Sequence, residues 1–343
     1  MSMITEHTAK SPRHTNFYLA AGPEHGPPVI FVHGWPELSI SWRHQLPAVG
    51  ALGFRAIAPD MRGYGRSSVY SRHEDYAIRE SVADMIELLD SLGHEKAVFV
   101  GHDWGSPVVW ALASHHPERC HGVANLCVPY SARGDVFSAI DRKVYPEDQF
   151  PAGQWDYQLF YVESFETARS QWEANIEATV KVLFRKGDPG GAGKPALTAF
   201  VRRNGGWFPG GAAPDPPRDV DILTEHDLAA YVSALKRNGF FGPDSWYMNH
   251  LANAAYSAEA KDDGKLVMPV LFLNAAYDYV CETLVSPLAE PMRRDCANLT
   301  EAVVQSGHWM AQEQPVAVNS ALTRWLAAQF PALWSPKWAP RRA

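Results

Sequence analysis

The residues best suited to chemistry form a short motif in which one aspartate stands between two glycines. The segment Gly101-His-Asp-Trp-Gly105 follows the apolar run Ala97–Val100 and precedes a helical pattern from Val108 to Ala113. A strand, a sharp turn and a helix have the form of a nucleophile elbow, in which Gly-x-Ser-x-Gly is the usual pattern. Glycines are needed there because β-carbons beside the strained central residue would clash. The motif therefore predicts that Asp103 stands clear of a sheet as a carboxylate nucleophile.

Two further residues complete a catalytic triad in the expected chain order of nucleophile, acid and histidine. Asp278 comes shortly after the apolar run Val270–Leu273, and His308 comes shortly after Ala302–Val304. Parallel sheets of α/β proteins place their sites at the carboxyl ends of the strands, where these side chains would meet Asp103. We therefore predict Asp103, Asp278 and His308 as the catalytic triad.

A fourth motif, His33-Gly34-Trp35-Pro36, directly follows the apolar run Val29–Val32. By itself it could be a rigid turn with a cis proline. Beside an elbow, the backbone N–H of Trp35 can instead serve as one donor of an oxyanion hole, with the N–H of Trp104 as the other. We predict Trp35 and Trp104 as the oxyanion-hole and substrate-pocket residues.

The elements that must position these residues alternate between apolar runs and amphipathic helices. The runs at 29–32, 56–58, 97–100, 123–128, 270–273 and 302–304 lack polar alternation, which is typical of parallel strands covered on both faces. Between them, Val82, Met85, Ile86 and Leu89 form one helical stripe, and Val318 to Leu326 repeats the pattern. The sequence predicts an α/β fold with a mostly parallel sheet and helices on both faces.

The strands are unevenly distributed, because roughly 140 residues separate the runs at 123–128 and 270–273. This stretch is aromatic, partly helical and interrupted by a Gly/Pro-rich segment, Gly187–Arg218. We predict a helical lid over residues 134–250, inserted into a core made of residues 1–133 and 251–343. Whether Gly187–Arg218 packs against the lid is left open by the sequence.

Composition narrows the class of protein further. The chain has 343 residues with 31 Lys and Arg against 38 Asp and Glu, a net charge of −7, which argues against a nucleic-acid partner. No apolar run reaches the ~18 residues that a membrane span needs, and the four cysteines form no CxxC pair. We expect a cytoplasmic protein, a monomer or homodimer, with no cofactor and no metal. The phosphate-loop-like GDPGGAGK segment lacks the required spacing.

With these motifs, the chain resembles the epoxide hydrolases of the α/β-hydrolase fold, the soluble and microbial kind. The similar segments cover nearly the whole sequence: HGWPE (33–37), SWRHQLP (41–47), DMRGYGRSS (60–68), GHDWGS (101–106), HPER (116–119), WDYQ (155–158), GFFGPDSWYMN (239–249), Asp278 in AAYDYV and SGHWMAQEQP (306–315). The resemblance implies an α/β-hydrolase core with an inserted lid. It also implies that two lid tyrosines assist the reaction.

Tyr247 in SWYMN matches one tyrosine position of the family, and Tyr157 in WDYQ matches the other. The Pro-Gly that often follows WDYQ is absent here, so Tyr161 is a rival for the second position. The Asp278 loop lacks a glycine often found before the acid, which leaves Glu282 as an alternative orienting carboxylate.

The residue types fit ring opening of an epoxide. A carboxylate, ionised at neutral pH, can attack an sp³ carbon and form an ester on the enzyme, and His308 can then activate water against that ester. Opening the ring leaves an alkoxide, for which a phenol is a suitable proton donor. We predict that the protein converts a small apolar epoxide and water into a vicinal diol. The alternatives are a haloalkane or haloacid dehalogenase, which would use the same Asp nucleophile, and a binding protein on a hydrolase scaffold.

Overall fold

A computed structural model describes residues 3–132 and 137–333, and its framework is one eight-stranded sheet. The strands are β1 (Thr5–Lys10), β2 (Thr15–Ala21), β3 (Pro28–Val32), β4 (Arg55–Pro59), β5 (Ala97–His102), β6 (Cys120–Leu126), β7 (Leu266–Ala275) and β8 (Cys296–Val304). Their order across the sheet is β1-β2-β4-β3-β5-β6-β7-β8. All six apolar runs predicted as strands lie in β3 to β8 or overlap them, whereas the sequence analysis missed β1 and β2.

The sheet is parallel from β4 to β8 and antiparallel at the β1–β2–β4 end. β3 and β5 are neighbours in register, with Val32 opposite Gly101, so the oxyanion motif and the elbow leave the sheet side by side. On its other side β5 pairs with β6, and β7 and then β8 follow towards the edge of the sheet. The carboxyl ends of β3, β5, β7 and β8 therefore carry the four predicted motifs along one edge of the sheet.

The helices are α1 (Gln45–Gly50), α2 (Ile78–Ser91), α3 (Gly105–His115), α4 (Asp156–Glu173), α5 (Ile176–Leu183), α6 (Glu225–Asn238), α7 (Phe241–Ser245), α8 (His250–Ser257), α9 (Glu290–Asp295), α10 (Met310–Glu313) and α11 (Pro315–Gln329). The two helical stripes predicted from the sequence lie in α2 and α11.

Both faces of the sheet are buried, as the lack of polar alternation predicted. In β3, Val29 and Phe31 pack with residues of α1 and α11. Ile30 and Val32 point to the other face and pack with residues of α2 and α3. A parallel strand between two helical layers must be apolar at successive positions, which explains the pattern. The expected α/β core is confirmed.

The long stretch between β6 and β7 contributes no strand among its described residues and contains α4 to α8. We call residues 137–257 the insert. The predicted lid boundary between residues 133 and 134 lies outside the described residues, and the boundary at 250 stays a prediction. At that end, α8 is tied to the core because the Ile78 N–H donates to Asn253 Oδ1 at 2.9 Å. Within residues 3–132 and 137–333, no helix has the length and apolar character needed to cross a membrane.

Candidate active site

Asp103 occupies the turn between β5 and α3, with a backbone φ of 49°. This left-handed conformation is uncommon for residues other than glycine, but aspartate tolerates it better than most. A β-carbon on Gly105 would lie 2.1 Å from the Val32 carbonyl oxygen, and one on Gly101 would lie 2.4 Å from Asn125 Oδ1. The close packing of the turn against neighbouring strands therefore requires both glycines of the motif.

The three predicted triad residues meet in space although they come from three distant parts of the chain. His308 Nδ1 lies 2.6 Å from Asp278 Oδ2, and His308 Nε2 lies 3.5 Å from Asp103 Oδ2. Asp278 is held in turn by the backbone N–H groups of Val280 and Cys281, at 3.1 and 3.0 Å. Glu282, the alternative acid, instead accepts N–H groups of its own turn, residues 284–286. The geometry thus favours Asp278 as the residue that orients His308.

The two carboxylates set the protonation of His308. Burial lowers the pKa of His308, but the charge of Asp278 and hydrogen bonds to Asp103 and Asp278 outweigh it, and the pKa lies well above its usual value. Burial likewise opposes the charge of Asp278, yet the facing histidine holds the pKa of that carboxyl below its ordinary value. The two aspartates therefore favour the protonated form of His308, and losing the charge of either one would lower the pKa of the imidazole.

The two carboxylates beside His308 lead to a prediction about the pKa of this histidine. Replacing Asp103 by asparagine removes one negative charge beside His308, so we expect the pKa of His308 to fall while Asp278 keeps it above that of an exposed histidine. A titration of the imidazole ¹⁵N resonances measures the shift. Asp188→Asn, an exposed substitution in the insert, is the control. An unchanged His308 pKa in Asp103→Asn would contradict the proposed electrostatic contact.

One of the two predicted oxyanion-hole donors, the Trp35 backbone N–H, contacts Asp103. The Trp35 backbone N–H donates to Asp103 Oδ1 at 2.7 Å, and the peptide bond between Trp35 and Pro36 is cis. A β-carbon on Gly34 would lie 2.4 Å from Asp103 Oδ1 and 2.6 Å from the Trp104 backbone nitrogen. Both predicted donors therefore border the same small space, and the role of Trp104 as the second donor stays a prediction.

Aromatic rings of the insert lie beside Trp104 and near Asp103. The Tyr247 ring lies 5.2 Å from that of Trp104 and 5.6 Å from that of Tyr157, centroid to centroid. Burial raises the pKa of both tyrosines, and the nearby charge of Asp103 raises it further. Both phenols therefore stay protonated, as a proton donor must, and both are close enough to Asp103 to respond to its charge.

Tyr161, the rival of Tyr157, has a different environment. Its ring stacks on Tyr247 at 4.3 Å with an interplanar angle of 5°, and its hydroxyl accepts the indole N–H of Trp172 at 2.9 Å. Burial raises the pKa of Tyr161 as well, and the carboxyl group nearest in effect to its phenol is that of Asp244, not that of Asp103. The contacts thus favour Tyr157 as the partner of Tyr247.

The Gly/Pro-rich segment, whose packing the sequence left open, contributes to the same aromatic wall. Trp207 lies 5.5 Å from Tyr157 and 4.9 Å from Trp172, centroid to centroid. At the start of the segment, Glu313 Oε2 accepts the N–H of both Gly187 and Gly307, at 3.1 and 2.8 Å. The segment is therefore anchored beside the His308 loop and packed against the tyrosines.

Sequence reasoning missed a buried ion pair behind the triad. Glu37 lies 2.8 Å from His102 Nδ1 and accepts the Gly34 N–H, while His102 Nε2 lies 2.8 Å from the His308 carbonyl oxygen. Burial opposes both charges, but their mutual attraction lowers the pKa of Glu37 to about 2 and raises that of His102 to about 10. Both residues stand inside motifs that the sequence analysis quoted, HGWPE and GHDWGS, but only the fold brings them together.

Cys127 joins the same group, because its thiol donates to the His308 carbonyl oxygen at 3.2 Å. His102, Cys127 and His308 place donor atoms within 4.8 Å of one another, as a metal site would require. The protein instead places the His308 carbonyl oxygen between the His102 and Cys127 side chains. These contacts position the loop that carries His308.

Comparison with known proteins shows the family to which this chain belongs. Residues 27–174 match the family model of the alpha/beta hydrolase fold. The chain is 35% identical over 303 residues to bifunctional epoxide hydrolase 2 of Sus scrofa. The alignment covers 88% of this chain and 51% of that protein. It thus spans about half the length of the bifunctional relatives. It is 31% identical to epoxide hydrolase B of Mycobacterium tuberculosis, over 90% of this chain and 93% of that protein.

The same likeness holds in three dimensions. The crystal structure of epoxide hydrolase A from Mycobacterium thermoresistibile superposes with a TM-score of 0.76 at 32% identity, over 94% of this chain and 98% of that one. An epoxide hydrolase from an endophytic Streptomyces gives a TM-score of 0.78 at 30% identity. With an elbow, a triad and an insert arranged as described above, the chain belongs to the epoxide hydrolase family of the α/β-hydrolase fold.

Proposed function

We propose that this protein hydrolyses small apolar epoxides to vicinal diols, with water as the second substrate. The observation that carries the proposal is that Tyr157 and Tyr247 pack together beside Trp104, both close enough to Asp103 for its charge to raise the pKa of their phenols. A carboxylate nucleophile and a nearby phenol that keeps its proton are the two groups that opening an epoxide ring requires. Relatives similar over most of this chain are named as epoxide hydrolases.

In the first step, Asp103 Oδ2 attacks one carbon of the epoxide, and the bond from that carbon to the ring oxygen breaks. The ring oxygen takes a proton from Tyr157 or Tyr247, which becomes a phenolate. The product is a hydroxyalkyl ester of Asp103. Forming this ester removes the negative charge from Asp103, so the pKa of His308 falls, and its proton passes through solvent to the phenolate.

In the second step, neutral His308 takes a proton from water as the water oxygen attacks the ester carbonyl carbon. The negative charge that develops falls on Asp103 Oδ1, which the Trp35 N–H already contacts at 2.7 Å. Backbone donors placed before the reaction stabilise such charge without reorganisation. The tetrahedral intermediate then collapses, and the diol oxygen leaves with the proton from His308. Asp103, now a carboxylic acid, passes the remaining proton of the water to His308, which restores the Asp103 carboxylate and the protonated histidine.

We infer that the insert acts as the lid of this site. The insert supplies Tyr157, Tyr247 and Trp207, whereas the core supplies the triad and Trp35. Rings from both parts form the wall around Asp103, so the space for substrate is lined mainly by apolar surface. This supports a small apolar epoxide as the substrate. No nucleic-acid partner is proposed, and a monomer or a homodimer is compatible with the site, which is built within one chain.

The trapped ester is the direct test. In His308→Gln the base of the second step is lost, so we expect an epoxide to add its whole mass to the protein once and the adduct to persist. Intact-protein mass spectrometry after exposure to aryl and alkyl epoxides measures it. His25→Gln, an exposed substitution in the core, should turn over epoxides without accumulating the adduct.

The same panel should contain haloalkanes, because a dehalogenase would form its ester from them. An adduct of the haloalkane minus hydrogen halide, with epoxides inert, would replace the proposed function by dehalogenation. The contacts argue against this outcome, because the Trp104 indole, where a dehalogenase would hold halide, packs edge-on against the Tyr247 ring at 5.2 Å. No adduct and no turnover with any member of the panel would also contradict the proposed function.

A further inference from the structure

A carboxyl group of the insert is buried and forms no salt bridge within residues 3–132 and 137–333. Asp244, in α7, is fully buried, and its Oδ1 accepts the indole N–H of Trp35 at 2.9 Å. Its other oxygen, Oδ2, is also buried and has no hydrogen-bond partner among the described residues. An ionised carboxylate in such a place would pay a large desolvation cost. Asp244 therefore differs from the other carboxyls of the site, each of which has a cationic partner.

The groups around Asp244 do not supply that charge. Arg169 and Glu173 in α4 pair with each other at 3.4 Å, and Glu173 also accepts the Phe240 N–H at 2.8 Å. The remaining titratable neighbours are the phenols of Tyr161 in α4 and Tyr64 in the core. Burial raises the pKa of Asp244 well above its usual value, and the charge of Glu173 raises it further. The hydrogen bond from Trp35, the charge of Arg169 and the nearby Tyr161 hydroxyl lower it only in part. The surroundings therefore favour the protonated form of this carboxyl in the folded protein.

Trp35 is held at both of its ends. Its backbone N–H contacts the nucleophile Asp103 at 2.7 Å, and its indole N–H contacts Asp244 at 2.9 Å. The indole also stands edge-on to Trp172 at 5.2 Å and to Tyr247 at 6.0 Å. Because the indole is held at its N–H and packed against two rings, it restricts the position of the Trp35 Cα and so of the Trp35 peptide. The side chain at 244 is therefore coupled, through one residue, to the donor that faces the reacting carboxylate.

We propose that Asp244 is a positioning residue of the insert, which holds the Trp35 indole so that the Trp35 backbone N–H stays aligned on Asp103. It joins the insert to the oxyanion motif, so that the lid tyrosines and the oxyanion donor are placed together. Its catalytic consequence rests on the proposed function. The contact itself and the protonation of the acid do not, and they can be measured without any substrate.

The protonation has a consequence for stability. In the unfolded chain Asp244 ionises at its usual pKa of about 3.8, whereas folding raises the pKa of this carboxyl. Above about pH 4 the unfolded state therefore binds fewer protons than the folded state, so this group lowers the stability as the pH rises. Asp244→Asn keeps an acceptor for Trp35 and cannot ionise. We expect its melting temperature, relative to the parent protein, to rise by several degrees between pH 4 and pH 8.

Asp227 provides the matched control. It is also a buried carboxyl of the insert, but it pairs with Arg43 at 3.0 Å and caps α6 through Thr224. Asp227→Asn weakens both interactions, so we expect it to lower the melting temperature at pH 8. If the melting-temperature difference between Asp244→Asn and the parent protein did not grow with pH, the raised pKa of the buried Asp244 carboxyl would be contradicted.

The contact with Trp35 is tested by NMR and by a double-mutant cycle. In ¹⁵N spectra, the Trp35 indole resonance should keep slow hydrogen exchange in Asp244→Asn and lose it in Asp244→Leu. In single-turnover reactions, Asp244→Leu and Trp35→Phe should each slow ester hydrolysis about ten- to 100-fold, with the double variant no slower than either. Asparagine at 244 should recover most of the rate that leucine loses.

Each outcome decides a separate point. Parent-like exchange of the indole in Asp244→Leu, or effects of the two single variants that add in the double variant, would overturn Asp244 as a positioning residue. A parent protein that turns over no epoxide would instead contradict the proposed function, and the indole exchange and pH-dependent melting would still decide whether Asp244 holds Trp35.

Discussion

Asp103→Asn is expected to lower the turnover of epoxides by about four orders of magnitude, the size of effect seen when a residue that acts as the nucleophile is removed. The amide has the shape of the carboxylate but cannot displace the ring oxygen from carbon. Asparagine also tolerates the left-handed backbone that this turn imposes, with φ of 49°. The loss should therefore appear in kcat with little change in melting temperature.

The double variant Asp103→Asn with His308→Gln shows whether Asp103 carries the ester. We expect it to form no epoxide adduct, in contrast to His308→Gln alone. Asp215→Asn, which changes a carboxylate 60% exposed on the insert surface, should keep the parent rate. If the double variant still gained the mass of the epoxide, another residue would be the nucleophile and the mechanism would be wrong.

Replacing Tyr157 and Tyr247 together by phenylalanine should slow ester formation by about 10³-fold, in the range that positioned general acids contribute. Without a phenol, the ring oxygen would have to leave as an alkoxide in an apolar space. Each single substitution should have a smaller effect because the other phenol remains. Rapid mixing in the His308→Gln background isolates this first step, since the ester then does not turn over.

The phenols also set the behaviour of ring opening at alkaline pH. Because burial raises the pKa of both tyrosines above the value of free tyrosine, they keep their protons as the pH rises to 10. The rate of ester formation should therefore stay level up to that pH. Tyr161→Phe is the control, since its hydroxyl interacts with Trp172, and its effect should be much smaller. A double tyrosine variant with the parent rate would show that ring opening does not use these phenols.

The inner strands could be predicted from the sequence because each is buried on both faces and therefore apolar at successive positions. The first two strands could not. β1, Thr5–Lys10, alternates partly buried and exposed residues at the edge of the sheet, and its pairing with β2 alone makes it a strand. β8 begins six residues earlier than the predicted run because its first part is mostly solvent-exposed. Edge strands carry a weaker apolar signal than central ones.

The choice between Tyr157 and Tyr161 could not be made from the sequence either. The two residues are four positions apart on α4 and so lie on nearly the same side of the helix. Only the packing of the insert on the core separates them, because Tyr161 lies beneath Tyr247 and accepts the Trp172 N–H, whereas Tyr157 faces Asp103. This difference supports Tyr157 in the proposed reaction.

The sequence by itself determined the elbow, the order of the triad and the oxyanion motif, because each depends on a local turn at a strand end, and glycines and apolar runs encode such turns directly. Tertiary structure decided which side chains act on those motifs from a distance. Glu37 meets His102 across 65 residues, and Asp244 meets Trp35 across 209. Burial and neighbouring charges fix the protonation of such groups, and both arise only when distant segments pack together.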